Sequence, residues 1–410
     1  MTENKPSFIK PVWQAREKAE PYMSDFFAII SVAASVVAMV FLGTLNVLLL
    51  YAIWLPQIFY RGQWVIKPSK DILLPAAIII YSIASAVWSR HPDITLRIGL
   101  EFGSLICCSL IIARIIQINA FIKGVTLGMF ISLAIVFISA GSIQTESALT
   151  GSLGSKNQVG MNSEIGFFCA LLCLFIFKEY WKKILIILPA MVFFAGCLFL
   201  SKSSTSTLSL AAMIAVSFFA YILTKFSRNF RMVILILTIL LGGVIAAIGF
   251  SSNLQELGLK AVGKDATLTG RTELWDAGKK IGMQNPIFGV GLGAFWVAGT
   301  PEAERIWFNF FIANKTGFHF HNLFINIFVD LGIIGVTLWG LMYISTFLKS
   351  FRYLLKNDTS IESMFYVGMS FMYFVRAFVE SDTTGPYGTG PLLFFYIVFS
   401  VASKTLNKSS

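Results

Sequence analysis

The stretch Ile184-Leu185-Ile186-Ile187-Leu188-Pro189-Ala190-Met191-Val192-Phe193-Phe194-Ala195-Gly196-Cys197-Leu198-Phe199-Leu200 contains no charged side chain. A helix rises 1.5 Å per residue, so a run of this size nearly crosses the ~30 Å hydrocarbon layer of a bilayer. It is bounded by Lys182-Lys183 at one end and by Ser201-Lys202-Ser203 at the other. Similar runs recur near 24–42, 43–60, 72–89, 98–117, 120–141, 161–177, 205–224, 232–250, 321–348, 361–379 and 388–403. Helices are expected throughout, because a backbone in lipid must satisfy its own hydrogen bonds.

Composition supports this reading. The chain is 56% hydrophobic and 13% charged, with a mean hydropathy of +0.75. Soluble domains carry about 25% charged residues. The net charge of +11 would suit nucleic acid on a soluble surface. Here the basic residues sit in short links between apolar runs, so no nucleic-acid partner is expected. Cys107, Cys108, Cys169, Cys173 and Cys197 all fall inside apolar runs and read as packing residues. The polar, basic first 22 residues and the long run after them do not read as a cleavable signal peptide.

The fold expected is an all-α polytopic membrane protein of about 12 transmembrane helices with one large periplasmic loop. A cytoplasmic tail would cover 1–22. A bundle of about nine helices would cover 23–250, and the loop 251–320. About three further helices would cover 321–403, and a cytoplasmic tail 404–410. Charge sets the orientation. With the N-terminus inside, the inner links hold Arg61, Lys67 and Lys70; Arg114 and Lys123; Lys178, Lys182 and Lys183; Lys225, Arg228 and Arg231; Lys349, Arg352 and Lys356; and Lys404 and Lys408. This is the positive-inside pattern. The outer side then holds Ser89-Arg90-His91-Pro92-Asp93, the segment 142–160, the turn around Lys202, and 251–320.

Most of the polar chemistry lies in that last segment. It opens with Thr269-Gly270-Arg271-Thr272-Glu273-Leu274-Trp275 and closes on His319-Phe320-His321-Asn322. The His-x-His pair lacks the third and fourth ligands of a zinc site, so no metal is expected. His321, beside Asn322 at a helix start, suits a neutral imidazole taking a proton from a hydroxyl. For His319 an ordinary interfacial role weighs equally. Arg271 offers a fork suited to phosphate oxygens, against the common case of a solvated arginine. Lys202 lies deep between two apolar runs, where a charge needs a partner, a job or a route to the interface. Arg376 and Glu380, four apart, read as a structural ion pair. Lys156 and Glu164 are placed to border the same outer cavity. Gly289-Val290-Gly291-Leu292-Gly293 lacks the Gly-Lys-Ser/Thr of a phosphate loop and reads as a packing turn.

Taken together these pieces resemble the bacterial O-antigen ligase and polymerase superfamily, nearest its exopolysaccharide-polymerase branch. The resemblance rests on Gly151-Ser152-Leu153-Gly154-Ser155-Lys156-Asn157, Ser201-Lys202-Ser203, Gly270 through Trp275, Pro286 through Trp296, and His321-Asn322 followed after nine residues by Gly332-x-x-Gly335. It covers roughly 150–340. It implies a metal-independent, cofactor-free glycosyltransferase of the inner (cytoplasmic) membrane. Its partners would be an undecaprenyl-diphosphate-linked oligosaccharide donor and acceptor, the lipid bilayer and, as a candidate, a chain-length regulator. By that resemblance His321, Arg271 and Lys202 are catalytic: Arg271 holds the diphosphate and His321 acts on the acceptor hydroxyl. Lys202 stands where the family usually has an arginine. Lys156, Asn157, Glu273, Trp275, His319 and Asn322 are expected to bind substrate. A repeat-unit polymerase is the leading expectation. A ligase transferring glycan to lipid A core or to protein is the alternative, and a transporter a third reading, disfavoured by the lack of related halves.

Overall fold

Among the described helices long enough to span, Tyr180–Ser201 is the most apolar, with a mean hydropathy of 2.6. It turns outward Leu185, Val192 and Phe199, which are 68, 72 and 82% exposed. Large apolar side chains left bare in this way face lipid, not water. The structure, a computed structural model, describes residues 22–41, 45–66, 69–140, 148–251, 270–312, 315, 318–357, 359–386 and 388–406. Among these residues it is helical and contains no strand. Seven helices are long and apolar enough to span: Lys70–Val87, Pro92–Ile115, Ile118–Ser139, Lys156–Ile176, Tyr180–Ser201, Ser204–Leu223 and Leu323–Lys356. Shorter apolar helices flank them at Asp25–Phe41 and Thr389–Lys404, and helices at Arg228–Ser251 and Ser360–Arg376 occupy two further expected spans.

One expected span is different. The run 43–60 forms two short helices, Leu45–Trp54 and Pro56–Val65. Pro56 opens the second, where its missing N–H costs nothing.

Helices approach closely where the sequence supplies small residues. Gly124 and Gly128 of Ile118–Ser139 meet Val32 and Val36 of Asp25–Phe41; a Cβ on either glycine would come within 2.7 Å of the valine Cβ. With lipid as apolar as leucine, such backbone proximity is what favours one helix pairing over another.

The helix Leu323–Lys356 is broken one third of the way along. Gly332 adopts φ +63° and ψ −164°, open to glycine and costly for other residues. The break frees backbone groups, and the loop 286–293 takes them up. Val290 N–H donates to Val329 O at 3.0 Å, Gly291 N–H to Asp330 O at 2.8 Å, and Ile333 N–H to Pro286 O at 2.8 Å. Non-helical backbone at this depth is tolerated because protein covers it. The glycine-rich turn is thus an insert docked into a broken helix, deeper than the surface packing its sequence suggested. Its outer side is held by Thr95 Oγ1–H donating to Leu292 O at 3.1 Å and Trp88 Nε1–H donating to Phe288 O at 3.1 Å.

Two amphipathic helices, Arg271–Gly282 and Pro301–Asn309, lie over this region. Leu274, Ile281, Phe295, Ile306, Trp307, Phe320 and Val329 form a second apolar cluster beneath them. That cluster fixes the segment on which the candidate site is built.

Candidate active site

Arg271 begins its helix because Gly270 stands before it at φ +80°. Glu273 in the first turn and Lys279 and Lys280 in the last complement the helix dipole. Leu274, Gly278, Ile281 and Gly282 face the apolar cluster, which leaves Arg271 at the edge of the bundle. Its Nη2 lies 2.8 Å from Glu380 Oε1, and its Nη1–H donates to Val379 O at 2.6 Å.

His321 reaches the same carboxylate. Its Nδ1 lies 2.9 Å from Glu380 Oε2. Glu380 is 2% exposed and also accepts from Asn157 Nδ2 at 3.0 Å. Burial opposes its ionisation. The hydrogen bond from His321, the electrostatic pull of the two imidazoles and the charge of Arg271 outweigh that and hold the carboxyl at about 2. An ionised carboxylate only accepts, so His321 Nδ1 carries a proton, and in the neutral imidazole the lone pair is on Nε2. The arrangement therefore produces an imidazole with a basic nitrogen and a fixed orientation. His319 serves the backbone: its Nδ1 accepts from His321 N–H at 3.0 Å. Burial, with the neighbouring His321, pushes His319 down to about 3, so it is neutral at ordinary pH.

Lys202 caps the helix Tyr180–Ser201 in a tight turn, and Ser203 starts the next helix by accepting from Ser206 N–H. Ser203 Oγ–H also donates to Asn157 Oδ1 at 3.3 Å, tying this turn to Asn157 and so to Glu380. Among the described residues, three that are not glycine have positive φ: Lys202 at 50°, Phe311 at 54° and His321 at 48°. Such conformations carry a local cost and gather at functional sites. Two of the three are residues singled out from sequence.

A recess of about 330 Å³ is lined by Lys156, Asn157, Lys202, Ser204, Arg271 and His321, among others. Lys156, Asn157 and His321 also border a larger cavity of about 1130 Å³, together with His319 and Glu380. The structure thus gathers His321, Arg271, Lys202, Lys156 and Asn157 around one recess, with His319 beside it. Three expected substrate-binding residues are placed differently. Glu273 is exposed and borders neither cavity. Trp275 donates from Nε1 to Phe320 O at 2.9 Å, pinning the peptide ahead of His321. Asn322 caps the helix Leu323–Lys356, with Oδ1 accepting from Ile325 N–H at 3.1 Å, while its Nδ2 donates to Phe378 O at 2.9 Å. The physical reason is the same for Trp275 and Asn322: their polar atoms are used by backbone partners.

The expected Arg376–Glu380 ion pair does not form. The helix ends at Arg376, so the four-residue spacing no longer places Glu380 on its face. Arg376, 1% exposed, instead contacts Asp382 Oδ2 at 2.6 Å and Glu164 Oε2 at 3.1 Å. Glu164 is accordingly buried in that network and borders neither cavity. Glu380 is the site residue the sequence reading missed. Its signal was its place in the polar link Glu380-Ser381-Asp382-Thr383-Thr384, directly after an apolar run.

His319, His321 and Glu380 also bring potential ligand atoms within 4.8 Å of one another, close enough for a divalent cation. Within this trio His319 Nδ1 already accepts from His321 N–H, and the two Glu380 oxygens are met by Arg271 and His321.

Comparisons with known proteins bear on the family of the chain. Residues 189–340, which carry Lys202, Arg271 and His321, match the family described as O-antigen ligase. The chain is also 32% identical over 383 residues to the exopolysaccharide production protein ExoQ of Rhizobium meliloti (strain 1021), covering 92% of this chain and 88% of the relative. A relative at that identity over nearly its whole length, joined to a set of helices fit to span a bilayer several times, decides the matter: the chain is a multi-pass membrane protein and belongs to the O-antigen ligase family, in company with ExoQ.

Proposed function

We propose that this protein is a membrane glycan polymerase. It transfers an undecaprenyl-diphosphate-linked oligosaccharide onto another lipid-linked repeat unit at the periplasmic face of the inner membrane, as a step in surface polysaccharide or O-antigen synthesis. The observation that carries the reading is an imidazole backed by a buried carboxylate, His321 on Glu380 at 2.9 Å, beside a recess lined by Lys156, Lys202 and Arg271. The membership in a family with ExoQ, a protein named for exopolysaccharide production, supports it.

In this mechanism an acceptor hydroxyl attacks the anomeric carbon of the donor. Its proton passes to His321 Nε2, the new carbon–oxygen bond forms, and the bond to the diphosphate oxygen breaks with inversion. The negative charge that develops on the departing lipid diphosphate is met by Arg271, Lys202 and Lys156. Fixed cations in a partly dry recess stabilise such charge well. Glu380 orients the imidazole and stabilises its protonated form, a positioning role. Because both substrates are held in the membrane, the remaining demand is orientation. The reaction needs no metal in this scheme, and activity in excess EDTA checks that.

The same reading places 251–320 in the periplasm, the bundle 23–250 and the helices of 321–403 in the membrane, and both termini in the cytoplasm. The distribution of charge supports it. Arg114 near Asp71, Arg231 on Leu354 O, and Lys404 on Glu362 lie at one end of the bundle, and the recess lies at the other. Residues 252–269 of the loop fall outside the described residues. Ligation of finished glycan to lipid A core or protein would use the same donor chemistry.

The test is elongation of purified lipid-linked repeat units. The wild-type protein is expected to produce ladders of repeats, and Arg271→Ala to lose them. An Arg271→Ala protein that elongates at the normal rate would remove the assignment.

A further inference from the structure

The recess and the larger cavity share a wall, and His321 stands in it with Lys156 and Asn157. The two chambers differ in charge. The recess is lined by Lys156, Lys202 and Arg271 and by no carboxylate among its described residues. The larger chamber is lined by Asp330, Glu380 and Asp382. Glu380 and Asp382 are ion-paired with Arg271 and Arg376, so the larger chamber offers acceptor oxygens more than free negative charge, while the recess presents Lys156 and Lys202 to a diphosphate. A neutral sugar has no such attraction to the recess, and its hydroxyls donate readily to carboxylates.

Two further observations point to a ligand in the larger chamber. Asn326 lines it, is 8% exposed, and its Oδ1 has no hydrogen-bond partner. Trp296 lines it as well, and its buried Nε1–H is also unpartnered. Buried polar groups in native proteins are nearly always satisfied, so orphaned ones beside a cavity mark where something binds. An acceptor and a donor left without partners in residues that line one chamber match a polyhydroxylated ligand. Asn326 and Asp330 are one turn apart on the helix that breaks at Gly332, and so share a face. Asp330 is held in place by Gly293 N–H, which donates to its Oδ2 at 3.2 Å. The inserted loop 286–293 therefore positions the wall of this chamber. Its volume of about 1130 Å³ is at the upper end of the range for small-molecule sites, and exceeds what a diphosphate group requires.

We infer that the larger chamber seats the acceptor glycan, an uncharged, hydroxyl-rich saccharide, with Asn326, Asp330 and Trp296 as its recognition residues. The inference rests on the glycan-transfer reading above and adds a division of labour to it. The donor's diphosphate lies on the cationic side of His321, and the acceptor's sugars lie on the acidic side. The imidazole sits between them, where the hydroxyl must give up its proton.

The experiment is two-substrate kinetics with a lipid-linked repeat unit as donor and the lipid-free repeat-unit oligosaccharide as the separately varied acceptor, combined with equilibrium binding of undecaprenyl diphosphate. Asn326→Leu and Trp296→Phe are expected to raise the acceptor KM by roughly three- to tenfold each, the loss of a hydrogen bond or so. Their affinity for undecaprenyl diphosphate and their melting temperature are expected to stay at the wild-type level. Lys202→Ala is expected to do the reverse, weakening undecaprenyl diphosphate and sparing the acceptor KM. The inference is overturned by wild-type acceptor KM in both Asn326→Leu and Trp296→Phe, or by an equal loss of diphosphate affinity in them. A wild-type protein that forms no glycan bond overturns the functional reading itself, a distinct result.

Discussion

His321 and Glu380 lie 59 residues apart in the chain, and yet Nδ1 of one is 2.9 Å from Oε2 of the other. The carboxylate is buried, and the imidazole is held at a positive φ. The contact fixes which ring nitrogen carries the proton and where the other one points. On the proposed mechanism this geometry makes His321 the general base.

His321→Ala is expected to lower kcat for glycan transfer by roughly 10²-fold or more, the usual range for a general base. Glu380→Gln keeps the shape but lets the imidazole adopt the wrong tautomer, so it should lower kcat more than it raises KM. Its alkaline-going activity limb should also shift relative to wild type. Steady-state kinetics across pH checks both, and an unaltered pH profile in Glu380→Gln would argue against a positioning role.

Lys202 combines a charge with a strained backbone. Lys202→Gly is expected to retain or slightly raise the melting temperature, because glycine accepts φ +50° freely. It should nevertheless bind undecaprenyl diphosphate more weakly. Lys202→Arg keeps the charge and should retain activity within about tenfold. Calorimetry in detergent and diphosphate binding separate the two effects.

Stability should fall with acid through two groups. Glu380 is held at about 2, below its ordinary 4.5. Its contribution is present above the ordinary value and is lost as pH drops from 4.5 toward 2. His319 is held at about 3, below its ordinary 6.5. Burial favours its neutral form, so its contribution is lost as pH drops from 6.5 toward 3. Both act in the same direction in different windows. Unfolding temperatures measured from pH 7 to 3 should decline less steeply in Glu380→Gln below pH 4.5, and in His319→Gln between pH 6.5 and 4.5.

Gly332 breaks its helix at φ +63°, and a Cβ there would collide with the carbonyl of Ile287. Gly332→Ala is expected to destabilise by about 2 kcal/mol or more, through backbone strain and displacement of the loop 286–293. Accelerated proteolysis within that loop would report the displacement, and a melting temperature equal to wild type would contradict it.

Much of this was legible in the sequence. Long uncharged runs such as 184–200 dictate helices, because lipid offers no partner for a bare backbone. Basic residues between the runs follow the positive-inside pattern. Lys202, Arg271 and His321 were singled out as charged or titratable residues at membrane boundaries. Glu380 was paired with Arg376 on helix spacing, and the helix stops at Arg376. The turn 289–293 reads as surface packing in the sequence, because its partner, a broken helix about 40 residues later, cannot be seen in a periodic apolar pattern. The run 43–60 was read as one span, although Pro56 divides it.

The sequence by itself determined that the chain belongs in a membrane, that its elements are helices, and which cations and histidines lie at their ends. These follow from local transfer and hydrogen-bonding energies along the chain. Tertiary structure decided which end residues meet. The Glu380 carboxylate joins Arg271, Asn157 and His321 from four separate segments, and the chambers on either side of His321 exist only once those segments have packed. Such meetings depend on side-chain fit between helices, which no single run of residues encodes.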